Sequence, residues 1–408
     1  MEAGGPGGRH DDGLNPAIPG VRRQPCQARC IARSRTSLPH GMALQHGLTE
    51  PDHGGQMNQY RLAMRVAKHT SFGAISTLLA CAAHAQSSAT LYGVVDAGIR
   101  YATNANTARD GKLELSEGAL NGSRFGLRGR EDLGAGTAVV YVLEGGFDLG
   151  TGTALQSSVA GYGQASSGGT GRLFGRQAFV GMQSRFGAIT LGRQYGVAYQ
   201  AMAGAQIFGN PNLDTLAIAR VYTGSRQDNA LKYEGKAGSW KLAAHHAFGE
   251  VPGNTRANAS TGISLGYDDK KFQASASYQQ ARSANGAQAR KTVGATAGYA
   301  SGRLKATAGY LSNRYSATGT RNEVIIGGVS YQWSPAWLVG LGAFHDEQKD
   351  PGGRRSAVYL LAGYRFSKRT DVYIEADYNR ITGGYALIKS QGTVGGKVGA
   401  MVGLRHVF

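Results

Sequence analysis

Two short runs and one isolated residue carry most of the chemistry this sequence offers. In NGSRFGLRGRED, Arg124, Arg128 and Arg130 alternate with Phe125, Leu127 and Gly129; in SRQDNALKYEG, Arg226 and Lys232 are out of phase with Leu231 and Tyr233. Side chains two apart on a strand share a face, so each run sets its cations on one face and its apolar groups on the other. Arg176, in LFGRQAFVGM, shares its phase with Phe174, and alternation alone leaves its face open. Fixed guanidinium groups on a wall concentrate anions near it but do not themselves break bonds. Bond-making residues are poorly arranged. His245 and His246 are adjacent and so point to opposite strand faces, which prevents a shared site. No glycine cluster completes GxxxxGK[ST], so phosphate cradling has no support. No catalysis, metal or cofactor is expected.

The elements that must position these cations read as strands from end to end. Leu91, Gly93, Val95, Ala97, Ile99 and Tyr101 oppose Tyr92, Val94, Asp96, Gly98 and Arg100. Val372, Ile374, Ala376 and Tyr378 oppose Asp371, Tyr373, Glu375, Asp377 and Asn379, and segments 271–280 and 303–310 repeat the pattern. Period two with one apolar face means β-strand; no segment shows a helical period. Short links at 184–187, 236–238, 268–270, 301–302, 334–336 and 367–369 alternate with long ones at 104–120, 149–171, 194–225, 249–260, 281–290, 314–321, 347–354 and 381–393. Tight turns on one side and long loops on the other are the layout of a transmembrane β-barrel. The expectation is all-β, with sixteen antiparallel strands beginning near 90, 121, 136, 172, 187, 226, 239, 261, 271, 291, 303, 322, 336, 355, 370 and 394. A soluble barrel of that size could not fill its interior with side chains. Tyr92, Tyr101, Tyr299, Tyr310, Tyr364 and Tyr378 also fall at strand ends, as aromatic girdles require.

The 408 residues carry 44 Lys+Arg against 26 Asp+Glu, 63 glycines and no uncharged apolar stretch near the length of a spanning helix, which is ~20 residues. The cations are interleaved through strands, not gathered into the exposed stripe that nucleic acid needs. The first 85 residues differ from the rest: six of the ten prolines and all three cysteines (Cys26, Cys30, Cys81) lie there. From Met57, Arg61, Arg65 and Lys68 precede an apolar stretch at 71–83 and an Ala83-His84-Ala85 site, the three parts of a secretory signal peptide. A lipoprotein-like Leu78-Leu79-Ala80-Cys81 is a weaker alternative, since Leu79 is bulky for that box. Residues 1–56 read as a mis-assigned or disordered extension, 57–85 as the signal peptide and 86–408 as the barrel. That last part keeps 35 basic and 21 acidic residues and no cysteine, so thiolate metal sites are excluded.

Several segments carry a family likeness: SSATLYGVVDAGIRYATN, NGSRFGLRGREDLGAGTAVVYVLEGGFDLGTG, LFGRQAFVGMQSRFGAITLGRQYG, GSRQDNALKYEG and the closing VGLRHVF. Together they resemble the general porins of Gram-negative outer membranes, in particular the beta-proteobacterial and neisserial type. The resemblance covers essentially all of 86–408. It implies a sixteen-stranded outer-membrane barrel, a homotrimer, passive diffusion of small hydrophilic solutes and ions, and a third long loop folded inward to narrow the pore. It also implies inward arginines at Arg124, Arg176 and Arg226, with Arg128 and Lys232 as second choices. Phe408, Leu404 and His406 match the C-terminal signal that such barrels present to the outer-membrane assembly machinery, His406 departing from the usual apolar residue. The third long loop, about Gln194 to Ser225, holds one acid, Asp214, so the pore should favour anions. Two alternatives stay open. The arginines could pair with Glu131, Asp132 or lipopolysaccharide phosphates, or Arg220 with Asp214. The barrel could also be structural or adhesive, with little transport.

Overall fold

Alternation of apolar and polar residues produces the expected strands, and the tight links set their register. The structure, a computed structural model, describes residues 88–155, 172–209, 211–213, 216, 218–385 and 395–408. Residues 1–56, the 57–85 segment and Asp214 lie outside the described residues. The chain begins with β1 (Ser88–Ala102), β2 (Lys112–Glu117), β3 (Arg124–Gly134), β4 (Thr137–Phe147), β5 (Ala154–Leu155), β6 (Gln177–Ser184) and β7 (Gly187–Tyr195). Two short helices follow, α1 (Val197–Ala203) and α2 (Ile218–Thr223). Then come β8 (Arg226–Ala237), β9 (Trp240–Ala247), β10 (Ser260–Asp268), β11 (Phe272–Arg282), β12 (Ala289–Ser301) and β13 (Leu304–Tyr315). The last are β14 (Arg321–Gln332), β15 (Trp337–Lys349), β16 (Gly353–Arg365), β17 (Thr370–Gly383) and β18 (Gly395–Val407).

Every pairing is antiparallel and follows chain order, and β1 pairs with both β3 and β18, which closes the sheet. Sixteen strands form the barrel. β2 and β5 are short additions: β2 takes over the upper half of β1, from Ala97↔Glu117 to Ala102↔Lys112. Two strands begin later than expected, at Arg124 rather than 121 and Gln177 rather than 172. Asp96 explains the first, because Ser123 Oγ caps its amide and its carboxylate accepts from the Asn121 amide, bending that stretch out of the ladder. The links Ala237–Trp240 and Ser301–Leu304 are two-residue hairpins. Gly238 (φ +58°) and Gly302 (φ +56°) supply the left-handed residue each needs.

Burial is inverted relative to a water-soluble domain. Ile374 is 59% exposed while its neighbour Glu375 is 1% exposed, and Ile99 and Val402 are likewise outside while Arg100 and Asp96 are enclosed. An apolar outer surface of this kind is stable only in lipid. Tyr92 corrects the girdle assignment: its hydroxyl donates to Glu144 at 3.0 Å, so it belongs to the enclosed face. The other girdle residues point outward, and Phe272–Tyr299 and Trp337–Tyr364 pair at the short-turn end.

The enclosed face is not uniformly wet. Leu311, Val324, Ile326, Phe344, Tyr359 and Tyr373 form a buried cluster with Met202, Ile207, Leu216, Ile218 and Tyr222 from the β7–β8 segment. Strand side chains also cap that segment's helix ends: Ser275 Oγ donates to Ala201 O (3.1 Å), Thr292 Oγ1 to Tyr222 O (3.1 Å) and Gln279 Nε2 to Thr223 O (2.7 Å). These carbonyls have no partner within a helix. With seven and six residues, α1 and α2 are too short to show a period in sequence.

Candidate functional site

A cavity of about 270 Å³ opens between the wall at β3, β6 and β8 and the β7–β8 segment. Arg124, Arg176, Arg220 and Arg226 line it, with Tyr195 and Tyr199. Arg124 opens β3 and Arg226 opens β8, both at the long-link end of their strands. Arg176 lies one residue before β6, and its amide donates to Glu144 O at 3.0 Å. That resolves the open alternation: the residue is outside the ladder, where strand parity does not apply.

Glu144 on β4 organises the wall. Its Oε1 accepts from Arg176 Nε at 2.7 Å, its Oε2 lies 3.6 Å from Arg124 Nε, and Tyr92 donates to the same Oε2. Tyr195 bridges the other pair, accepting from Arg176 Nη2 at 2.8 Å and Arg226 Nη2 at 3.0 Å. The Arg226 guanidinium also lies over the Tyr195 ring at 4.7 Å, and that ring stacks on Tyr199 at 5.2 Å. Arg220, on α2, lines the space from the segment side and donates to Asn212 O of the same segment at 3.0 Å. Four guanidiniums thus surround one space, and the Glu144 carboxylate is bonded to two of them.

The remaining expected residues sit elsewhere. Arg128 shares the enclosed face and lies over the Tyr92 ring at 5.0 Å, away from the cavity. Lys232 is buried against Gln200 Oε1 (2.7 Å) and Glu234 (3.0 Å), so it ties α1 to the wall instead of lining the space. Arg124 and Arg176 pair with Glu144, not with Glu131 or Asp132. His245 and His246 diverge as expected, the first buried beside Val197 and Ser260, the second outward on Thr261. Leu404 and Phe408 are exposed on the outer face, and His406 Nδ1 lies 2.9 Å from Thr370 Oγ1.

Sequence reasoning missed Glu144, Tyr195 and Tyr199. Glu144 had a signal, as the lone acid in the apolar TAVVYVLEGGF; the tyrosines had none, because Tyr195 follows a bulge between Gly192 and Gln194 that changes the phase and Tyr199 lies on α1, where strand phase does not apply. Across the barrel, carboxylates are quenched. Glu375 and Asp377 hold Arg100, Asp371 holds Arg405, and Asp346 accepts from Tyr222, Tyr385 and Asn322. Burial first, then the neighbouring Tyr385 and Asp346, push the Tyr222 hydroxyl well above the ordinary tyrosine pKa, so it stays a donor.

Comparison with known proteins bears on the family and the fold. A family model described as Gram-negative porin matches residues 72–384. An outer membrane porin protein of Bordetella pertussis is 38% identical over 141 residues, covering 31% of this chain and 33% of that protein. Outer membrane porin protein 32 of Delftia acidovorans is 26% identical over 360 residues, covering 80% of this chain and 96% of that protein. Among solved structures, the anion-selective porin from Comamonas acidovorans superposes with a TM-score of 0.65 at 23% identity, covering 79% of this chain and all of that one. OmpT of Vibrio cholerae in its trimer form gives 0.57 at 16% identity, with 79% and 99% covered.

Proposed function

The chain belongs to the Gram-negative porin family, and from that premise we propose that its arginine-lined cavity is the constriction of an anion-favouring pore. The barrel lies in the outer membrane and lets solutes diffuse passively. The observation that carries the selectivity is the set of four guanidiniums about one 270 Å³ space. Charges on a narrow low-dielectric wall raise the local concentration of counter-ions and set selectivity. The β7–β8 segment is the loop that narrows the lumen, held by bonds such as Thr307 Oγ1 to Ala205 O at 2.7 Å. Arg124, Arg176, Arg220 and Arg226 set the field; Arg128 adds charge to the enclosed face outside the constriction, while Lys232, paired with Glu234, anchors α1 to the wall.

Reversal potential across a planar bilayer in a KCl gradient tests the reading. Wild type should favour chloride, and Arg226→Gln should move the potential toward cations; an unchanged potential removes Arg226 from the constriction. A purely structural or adhesive barrel would leave the bilayer silent. The functional unit is a homotrimer, in keeping with the trimer form of the Vibrio cholerae structure. Export depends on the 57–85 signal peptide, insertion on the assembly machinery reading Phe408, and lipopolysaccharide surrounds the barrel. We assign the chain no reaction and no cofactor.

A further inference from the structure

A second set of cations has no part in the pore. On β12–β15, Lys291 is the cross-strand partner of Arg314, Arg314 of Arg321 and Arg321 of Lys349. All four are exposed, and each shares the phase of outward apolar residues on its own strand: Val293, Tyr310, Ile325 and Leu341. They therefore stand on the lipid side, at the long-link end, just beyond the apolar belt. Arg354 on β16 and Arg380 on β17 are exposed in the same outward phase and extend the set.

Directly opposed side chains on one sheet face have Cβ atoms about 5 Å apart, and like charges at that spacing destabilise the pair. Four in a row demand a counter-charge. The wall provides little: Glu323 pairs with both Arg321 and Lys349, Glu347 lies opposite Arg354, and none of the other cations gains a carboxylate partner among the described residues. Followed the other way, the row loses its fixed charge, passing through Gln280, Thr261, His246 and Leu231. The cations are confined to one flank and to the long-link ends of their strands. At headgroup depth the available anion is phosphate, which arginine binds through two parallel hydrogen bonds and which long basic side chains reach from an apolar stem.

We propose that Lys291, Arg314, Arg321 and Lys349 form a binding site for the phosphate groups of an outer-leaflet lipid. Neighbouring cations at this spacing suit a headgroup with more than one phosphate. The site rests on the proposed outer-membrane pore, in which barrels of this kind set short turns in the periplasm and long loops outside the cell, and it names a surface for the lipid partner proposed there.

The test uses full-length exported protein in phosphatidylcholine nanodiscs doped with diphosphoryl lipid A or its dephosphorylated form, with retained lipid counted by native mass spectrometry. Wild type should retain the phosphorylated lipid at least tenfold more tightly than the dephosphorylated one. Lys291→Gln/Arg314→Gln/Arg321→Gln/Lys349→Gln should abolish that preference while conductance and anion preference stay as in wild type. Equal retention of the two lipids by wild type would overturn the site whether or not the variant folds. So would undiminished preference in the variant, or complete displacement of the lipid by inorganic phosphate. A silent bilayer with the lipid preference intact would instead sink the pore reading alone.

Discussion

Glu144 shows how one residue can hold a field without cancelling it. It is 4% exposed and bonded to two arginines and a tyrosine. Removing one partner of a buried pair costs roughly 3–5 kcal/mol, so Glu144→Gln should lower the thermal unfolding temperature in detergent. The same change leaves more positive charge in the cavity, and the reversal potential should move further toward chloride. A move toward potassium would contradict the arrangement. Arg226 is held by stacking on Tyr195 as well as by its bond to that hydroxyl. Lysine cannot reproduce a planar stack, but it keeps the charge. Arg226→Lys should therefore retain most of the anion preference that Arg226→Gln loses, with noisier single-channel currents as the sign of a looser side chain.

At the scale of elements, the β7–β8 segment fits against the wall because the wall is notched for it. A methyl group placed on Gly294 would fall 2.3 Å from Met202 Sδ, one on Gly309 2.6 Å from Ala205 Cβ, and one on Gly340 2.3 Å from the Phe208 ring. These enclosed-face glycines on β12, β13 and β15 form a groove under the segment. Overpacking costs typically 1–3 kcal/mol, and here the movable partner is the segment. Gly309→Val should push it toward the lumen and lower single-channel conductance, whereas the same change at outward-facing Ala308 should leave conductance alone. The far end of the segment is tied by Tyr222 to Asp346, beside Tyr385 of the β17–β18 link. Tyr222→Phe removes that donor and should increase open-channel noise without reversing selectivity; quiet currents would show that the apolar cluster alone suffices.

For the whole molecule, closure and field are the properties to measure. Phe408 N donates to Gly93 O at 3.1 Å and Gly93 N to Phe408 O at 3.0 Å, while the Phe408 ring occupies the space a Gly93 side chain would need. The last residue thus seals the first strand. Phe408→Ala should reduce the yield of folded, heat-modifiable barrel in outer-membrane fractions. The pore's field is screened by salt, over about 10 Å at 0.1 M but only about 3 Å at 1 M. The anion permeability ratio should fall as ionic strength rises; a salt-independent ratio would point to pore width instead of charge. Amino-terminal sequencing of the exported protein should give Gln86 first.

By itself the sequence determined the sixteen barrel strands, though not the two short helices, because a strand in lipid must alternate strictly and each tight turn must fit between two strands. Segments such as 371–379 could be assigned to both faces residue by residue. The same parity put Arg124, Arg128, Arg226 and Lys232 on the wet face. It could not tell which cations meet, because barrel closure and shear bring together β3, β4, β6 and β8 residues up to 102 positions apart, as Arg124 and Arg226 are. Parity also fails where the ladder fails, at Arg176 before β6 and at Tyr195 after the bulge. The apolar strip at Ile326, Phe344 and Tyr359 and the glycine groove were visible as residues but had no meaning without the segment that lies on them. Only the tertiary structure decided that Lys232 ties a helix down while Arg220 enters the cavity, since their partners are set by how the segment packs and not by distance along the chain.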